Sequence, residues 1–150
     1  MYKHFKSKNY IILGALDFYS MIDYSIKQVI EKSQLSAKER IKLYFEMRSE
    51  YYESYPSISA LSLIQETLDH EELISERNNE IYKSRVEFIR SYIDIGKMSG
   101  ELRSDIDSEI LTDIILGSFR EITIKWRMSK YAFSLKEKVI STLDLILQMC

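Results

Sequence analysis

Helix breakers are almost missing from this sequence: one proline, Pro56, and four glycines stand among 150 residues. A chain this poor in both has few places to turn, so long helices joined by short loops are its natural elements. The apolar residues agree, because they recur at three- and four-residue intervals rather than alternating. An all-α domain of about six helices follows from that spacing. At this length one domain can hide roughly 70% of its extended-chain surface, so a real core forms without staples.

Capping residues divide the chain. Ser7 is placed to cap a first helix running through Ile12, Leu16, Tyr19 and Asp23 toward Glu31, with Phe5 folding back on Ile11 as a staple. Ser36 followed by Glu39 is a capping box for a second helix that ends before Pro56. Pro56 suits the first turn of a third, through Ile58, Leu61, Leu63, Ile64 and Leu68. A longer helix is expected from His70 or Glu71 to Met98, stopped by Gly100; about thirty residues make roughly 45 Å. A compact chain of this size has a radius of gyration of only about 15 Å, so the rod implies an elongated molecule or a partner. Two further helices are expected near Asp107 to Met128, capped by Asp107 or Ser108, and Ser134 to Leu147, the last behind a second Ser–Glu capping box, Ser134 with Glu137.

Those two helices are apolar beyond the needs of a surface helix. On a wheel, Ile110, Leu111, Ile114, Ile115, Phe119, Ile122, Ile124 and Trp126 spread over about 220°, where a little over 100° suffices. The last helix groups Leu135, Val139, Leu143, Ile146 and Leu147 on one half. A symmetric homodimer built on a four-helix bundle is therefore expected, with an interface of Ile110, Ile114, Gly117, Leu135, Val139, Leu143, Ile146 and Leu147. Gly117, costly within a helix, fits a close helix crossing.

Chemistry is marked by what is missing. His4 and His70 lie far apart with no ligand at metal spacing, and Cys150 is the lone cysteine, so neither a metal site nor a disulfide is expected. No glycine-rich phosphate loop or nucleophile elbow occurs, which argues against an enzyme and against a bound cofactor. The net charge of −2 makes the whole chain a poor match for nucleic acid, yet Lys3, Lys6 and Lys8 with His4 form a basic start before the first acidic residue, Asp17. The opening residues lack the pattern of a signal peptide and no apolar run reaches bilayer length, so a cytoplasmic protein with no membrane partner is expected. Tyr44, Tyr51, Tyr55, Phe88, Tyr92, Phe119 and Trp126 are candidates to line a pocket for a small apolar or aromatic ligand, with Arg120 orienting it. The same rings equally fill a plain helical core, in which case the chain is an interaction module without a ligand.

The run Tyr2-Lys3-His4-Phe5-Lys6-Ser7-Lys8, followed by Tyr10-Ile11-Ile12, resembles the end of the DNA-binding domain of TetR/AcrR-family transcription regulators. Gly96-Lys97-Met98-Ser99-Gly100-Glu101-Leu102-Arg103 resembles the turn before that family's eighth helix, and Ile114-Ile115-Leu116-Gly117-Ser118-Phe119-Arg120 the helix itself. The resemblance implies a ligand-responsive regulator, usually a repressor, whose Tyr2, His4 and Lys8 touch the phosphates of operator DNA. It also implies three parts: residues 1–7 as the remnant of the reading head, 8–32 as a connecting helix, and 33–150 as the ligand-binding and dimerisation domain. A full member carries a helix-turn-helix ahead of Tyr2, and without it these contacts position the protein on DNA but do not specify sequence.

Overall fold

The computed structural model describes residues 2–60 and 72–150, with side chains from residue 8 onward. Among them are six helices: α1 (Tyr2–Glu31), α2 (Ala37–Ser54), α3 (Pro56–Ser59), α4 (Glu72–Ser99), α5 (Ser108–Met128) and α6 (Leu135–Met149). No strand occurs among the described residues. Among the described residues no helix is long and apolar enough to cross a membrane.

The expected cap at Ser7 needs correction, because α1 already runs through that residue from Tyr2. No glycine or proline interrupts Tyr2 to Asn9, so each added residue gains one backbone hydrogen bond and nothing ends the helix. With Ser7 inside the helix, a staple from Phe5 has no helix start to close. Downstream the punctuation works as read. Ser36 and Glu39 form the reciprocal box: the Ser36 hydroxyl accepts from the Glu39 N–H at 3.3 Å, and the Glu39 carboxylate accepts from the Ser36 N–H at 2.9 Å. Pro56 stands in the first turn of α3. Leu61, Leu63, Ile64 and Leu68, with the expected start at His70 or Glu71, lie outside the described residues. Asp107 caps α5 and Ser134 caps α6 through the N–H of Glu137.

The N-terminus of α2 has a second acceptor that sequence spacing does not reveal. Glu101, in the turn after α4, reaches across to accept from the N–H groups of Ala37 at 3.1 Å and Lys38 at 3.4 Å. Burial pushes this carboxyl upward, but those two N–H groups and the hydroxyls of Ser36 and Ser99 outweigh it and hold the pKa below the ordinary value. The charge sits at the positive end of the helix and closes the α4–α5 turn onto α2.

α2 is the middle of the molecule. It packs against α1, α3, α4 and α6, while α5 lies across α4 and α6. Ile41, Phe45, Ile89, Ile93, Ile115 and Leu135 are completely buried where these helices meet. The length of α4 finds cover within the chain as well: its first half lies along α1, where Ile74 packs with Leu16 in a smaller second cluster flanked by Ile12, Leu13 and Ile81.

Close approach decides one glycine. A Cβ on Gly96 would stand 2.9 Å from Leu102 Cδ1 and 3.4 Å from the Ala37 Cβ, both buried, whereas one on Gly14 meets nothing within 4 Å. Gly96→Val is therefore expected to destabilise by about 1–3 kcal/mol through overpacking, and Gly14→Ala to stabilise by about 0.5–1 kcal/mol through helix propensity, both read from urea unfolding midpoints. Equal signs for the two would refute the packing assigned to the α4–α5 turn.

Glu101 makes a prediction with a pH signature. Its folded pKa is depressed, so its contribution is present above the unfolded value near 4.3 and is lost as pH falls through the folded value. Glu101→Gln should cost about 0.5–2 kcal/mol at pH 7 and progressively less below about pH 4, measured by urea melts along a pH series.

Candidate functional site

Three helices bring charge into the core. Tyr19, Asp23 and Lys27 share one face of α1, and Tyr44, Arg48 and Tyr52 repeat every four residues on α2, so each set projects as a row. The rows face each other beside Ser84 and Arg85 of α4. Asp23 Oδ1 accepts from the Tyr44 hydroxyl at 2.7 Å and from Arg48 at 2.8 Å, while its Oδ2 pairs with Lys27 at 2.9 Å. Arg48 also donates to the Tyr52 hydroxyl at 2.8 Å. The Tyr52 and Tyr19 hydroxyls lie 3.3 Å apart, and Arg85 donates to Tyr19 at 3.1 Å. Lys27 finishes the circuit by donating to Ser84 at 2.6 Å.

Burial makes this network expensive to break. Asp23 is 6% exposed and Arg48 3%. The Arg48 guanidinium lies 4.7–5.5 Å from the ring centres of Tyr19, Tyr44 and Tyr52, so aromatic faces stand where water would otherwise be. Desolvation lowers the Arg48 pKa from its ordinary value, with Tyr52 partly opposing it. Desolvation and the neighbouring Asp23 charge drive the Tyr44 phenol well above 10, so it remains a donor at any physiological pH. Burial likewise raises Tyr51, whose enclosed hydroxyl has no hydrogen-bond partner.

The residues singled out in the sequence separate into distinct places. Tyr44, Phe88, Tyr92 and Phe119 are buried close together, with Tyr44–Phe88 and Phe88–Tyr92 ring centres 5.2 and 5.0 Å apart and Phe45 bridging to Phe119 at 5.1 Å. Tyr51 stacks with the more exposed Tyr55 at 5.2 Å. Trp126 stands at the far end of α5 against Tyr131, their ring centres 4.6 Å apart. Arg120 is exposed in a groove of about 200 Å³ between α4 and α5 that Arg85 also lines. Lys8 is exposed on α1, the helix that begins with Tyr2 and carries His4.

The expected dimer residues divide too. Ile110, Ile114 and Gly117 are exposed along one stripe of α5, and among the described residues nothing approaches within 4 Å of a Cβ built on Gly117. Leu135, Val139, Leu143, Ile146 and Leu147 are instead buried in the chain's own core. Their wheel arc meets α2 and α5 rather than solvent. The exposed apolar residues of α6 are Leu145 and Met149.

Asp23, Lys27, Arg48 and Arg85 were not singled out in the sequence. One signal was available: Arg48 interrupts the apolar stripe of α2, and a charged residue at a core position needs a buried partner. Nothing local names that partner. Among the described residues, no group of three or more His, Cys, Asp or Glu side chains is arranged to hold a metal ion.

These contacts define an all-α bundle whose long first helix is locked to α2 and α4 by a buried charged network. Comparison with known proteins makes the assignment. Residues 18–149 match the TetR-type family described as YsiA-like protein, C-terminal region, and the chain belongs to that family. No curated protein sequence matches the chain. Among solved structures, the MbdR regulator from Azoarcus sp. CIB superposes with a TM-score of 0.81 at 19% identity, over 97% of this chain and 78% of that one. FadR from Bacillus subtilis, in complex with stearoyl-CoA, gives 0.78 at 18% identity over 93% and 74%. The fatty acid degradation regulator FadR from Bacillus halodurans gives 0.76 at 17% over 91% and 72%. At these identities the likeness is one of fold.

The ion pair is directly testable. Asp23→Leu leaves Arg48 buried without its counter-charge and is expected to cost about 3–5 kcal/mol in urea unfolding, whereas Asp23→Leu combined with Arg48→Met should recover most of that loss. A double variant no better than the single one would mean that the two groups do not depend on each other.

Proposed function

We propose that this chain is the sensor and dimerisation part of a ligand-responsive, DNA-binding transcription regulator, most simply a repressor. Membership in a family of regulator C-terminal regions supports that reading. The observation that carries it is the network around Asp23 and Arg48, because it fastens α1 to both α2 and α4. In a regulator, α1 is the helix that leads to a helix-turn-helix head, with Tyr2, His4 and Lys8 near its start as phosphate contacts. A ligand that changes how α2 and α4 are spaced then moves α1, and with it the separation of two heads on a palindromic operator. Such a switch works only if the ligand prefers one arrangement, since equal affinity for both shifts nothing.

The ligand we propose is a small apolar or aromatic molecule received among Tyr44, Phe88, Tyr92 and Phe119, with Tyr51 and Tyr55 toward the surface and Arg120 and Trp126 along α5. The fold neighbour from Bacillus subtilis holds stearoyl-CoA, which favours a long apolar chain over a flat ring. The rings touch one another in the packed core, so ligand entry requires them to part. The dimer we propose forms on Ile110, Ile114 and Gly117, extended by Leu145 and Met149 of α6. Leu135, Val139, Leu143, Ile146 and Leu147 support that face from behind.

Native mass spectrometry tests both halves together. The expected species is twice the chain mass, carrying additional mass that disappears on denaturation. Ile114→Asp should give a folded monomer by sedimentation. Gly117→Leu should weaken the dimer at least tenfold, although a Cβ there meets nothing within 4 Å among the described residues. A monomeric wild-type chain with intact helicity would overturn the dimer, and a dimer that binds no acyl chain or aromatic probe would leave an interaction module in place of a sensor.

A further inference from the structure

We infer that the groove between α4 and α5 is a binding site for a compact oxyanion, a carboxylate or phosphate group, held by Arg85 and Arg120. Charge is the first argument. The buried network contains Lys27, Arg48 and Arg85 around the single carboxylate of Asp23. Both Asp23 oxygens are already taken, Oδ1 by Arg48 and Tyr44 and Oδ2 by Lys27. Arg85 is left with a phenol as its polar partner, and its Nε is enclosed without any hydrogen-bond partner. A half-buried guanidinium in that state is costly unless an anion completes it.

Geometry is the second argument. Arg85 lines the groove from α4 and Arg120 lines it from α5, so two arginines border it from different helices. Neither forms an ion pair within 4 Å among the described residues. A volume of about 200 Å³ is below the roughly 300–1,000 Å³ of a site for a whole drug-sized ligand and suits one charged end group. Guanidinium forks match carboxylate and phosphate oxygens in pairs, which is the recognition such an end group needs. Asp113 also lines the groove and limits affinity, leaving one net positive charge for the ligand.

Position gives the site a consequence. Arg85 is the end of the chain of contacts through Tyr19, Tyr52 and Arg48 to Asp23, so an anion competing for its N–H groups loosens the grip of α4 on Tyr19 of α1. Phe119, in the same groove, contacts the aromatic cluster through Phe45 and Tyr52, placing the charged end beside the apolar core. This consequence rests on the sensor reading; the oxyanion site itself does not.

The test is titration of the whole purified chain with inorganic phosphate at constant ionic strength, followed by amide NMR shifts at Gly117 and Arg120 and by thermal stability. Saturable shifts are expected, weakened at least tenfold by Arg85→Gln and by Arg120→Gln and strengthened several-fold by Asp113→Asn. Arg120 and Asp113 are exposed, so the last two variants keep the test valid if Arg85→Gln fails to fold. Octanoate, octyl phosphate and octanol then distinguish sources: tighter binding of one charged compound identifies a carboxylate or phosphate ligand. Octanol without effect counts against the apolar sensor while leaving the phosphate result standing. A response to phosphate no greater than to sodium chloride, or loss of stability in Asp113→Asn with no gain in affinity, would overturn the site by making Asp113 the partner of these arginines.

Discussion

A carboxylate taken out of water must meet its partners at fixed distances, and in this molecule Asp23 meets three of them: Tyr44, Arg48 and Lys27. Apolar contacts tolerate small slides, whereas hydrogen bonds weaken steeply once distance or angle is lost. Sliding α1 by one turn along α2 would bury Arg48 and Asp23 apart, so the pair sets the register of the two helices. Because such a pair often adds little net stability over a well-packed apolar substitute, its value here is specificity of arrangement. The aromatic faces around Arg48 and the excluded water reinforce that choice.

The remaining helices are organised around α2 once its register is set. Glu101 ties the α4–α5 turn to its first residues, Gly96 lets that turn approach closely, and Lys136 of α6 reaches Glu46 and Glu50 on its outer side. At the other end, Arg127 donates to the Pro56 carbonyl and the Ser59 hydroxyl at 2.7 Å each, fastening α5 to α3. A hairpin of α5 and α6 is closed by Lys130 and Tyr131, both with positive φ, and Tyr131 is held there by its N–H bond to the Trp126 carbonyl and by ring contact. The α5–α6 hairpin thus turns Leu111, Ile115, Leu135 and Leu143 inward and leaves Ile110 and Ile114 of α5 exposed.

Local features were legible in proportion to how local their physics is. Ser36 with Glu39, Asp107, Ser134 and Gly100 act on backbone groups within a turn of themselves, and each works where its sequence position indicates. Ser7 misled because a good cap residue is also tolerated inside a helix, and only the residues before it decide which role it takes. The wheel of α6 correctly identified a buried arc but not its owner, since Leu135 through Leu147 present the same pattern to their own core as to a second copy.

Periodicity, scarce breakers and capping residues determined by themselves that this protein is a set of long helices, with the caps at Ser36, Asp107 and Ser134 in place, because hydrogen bonds four residues apart and one-turn caps need no distant partner. Tertiary structure alone decided that Asp23 meets Arg48, that Glu101 caps a helix more than sixty residues away, and that Arg85 and Arg120 line one groove. Those pairings depend on which helix faces lie together, and a charge in a sequence carries no record of the face that will oppose it.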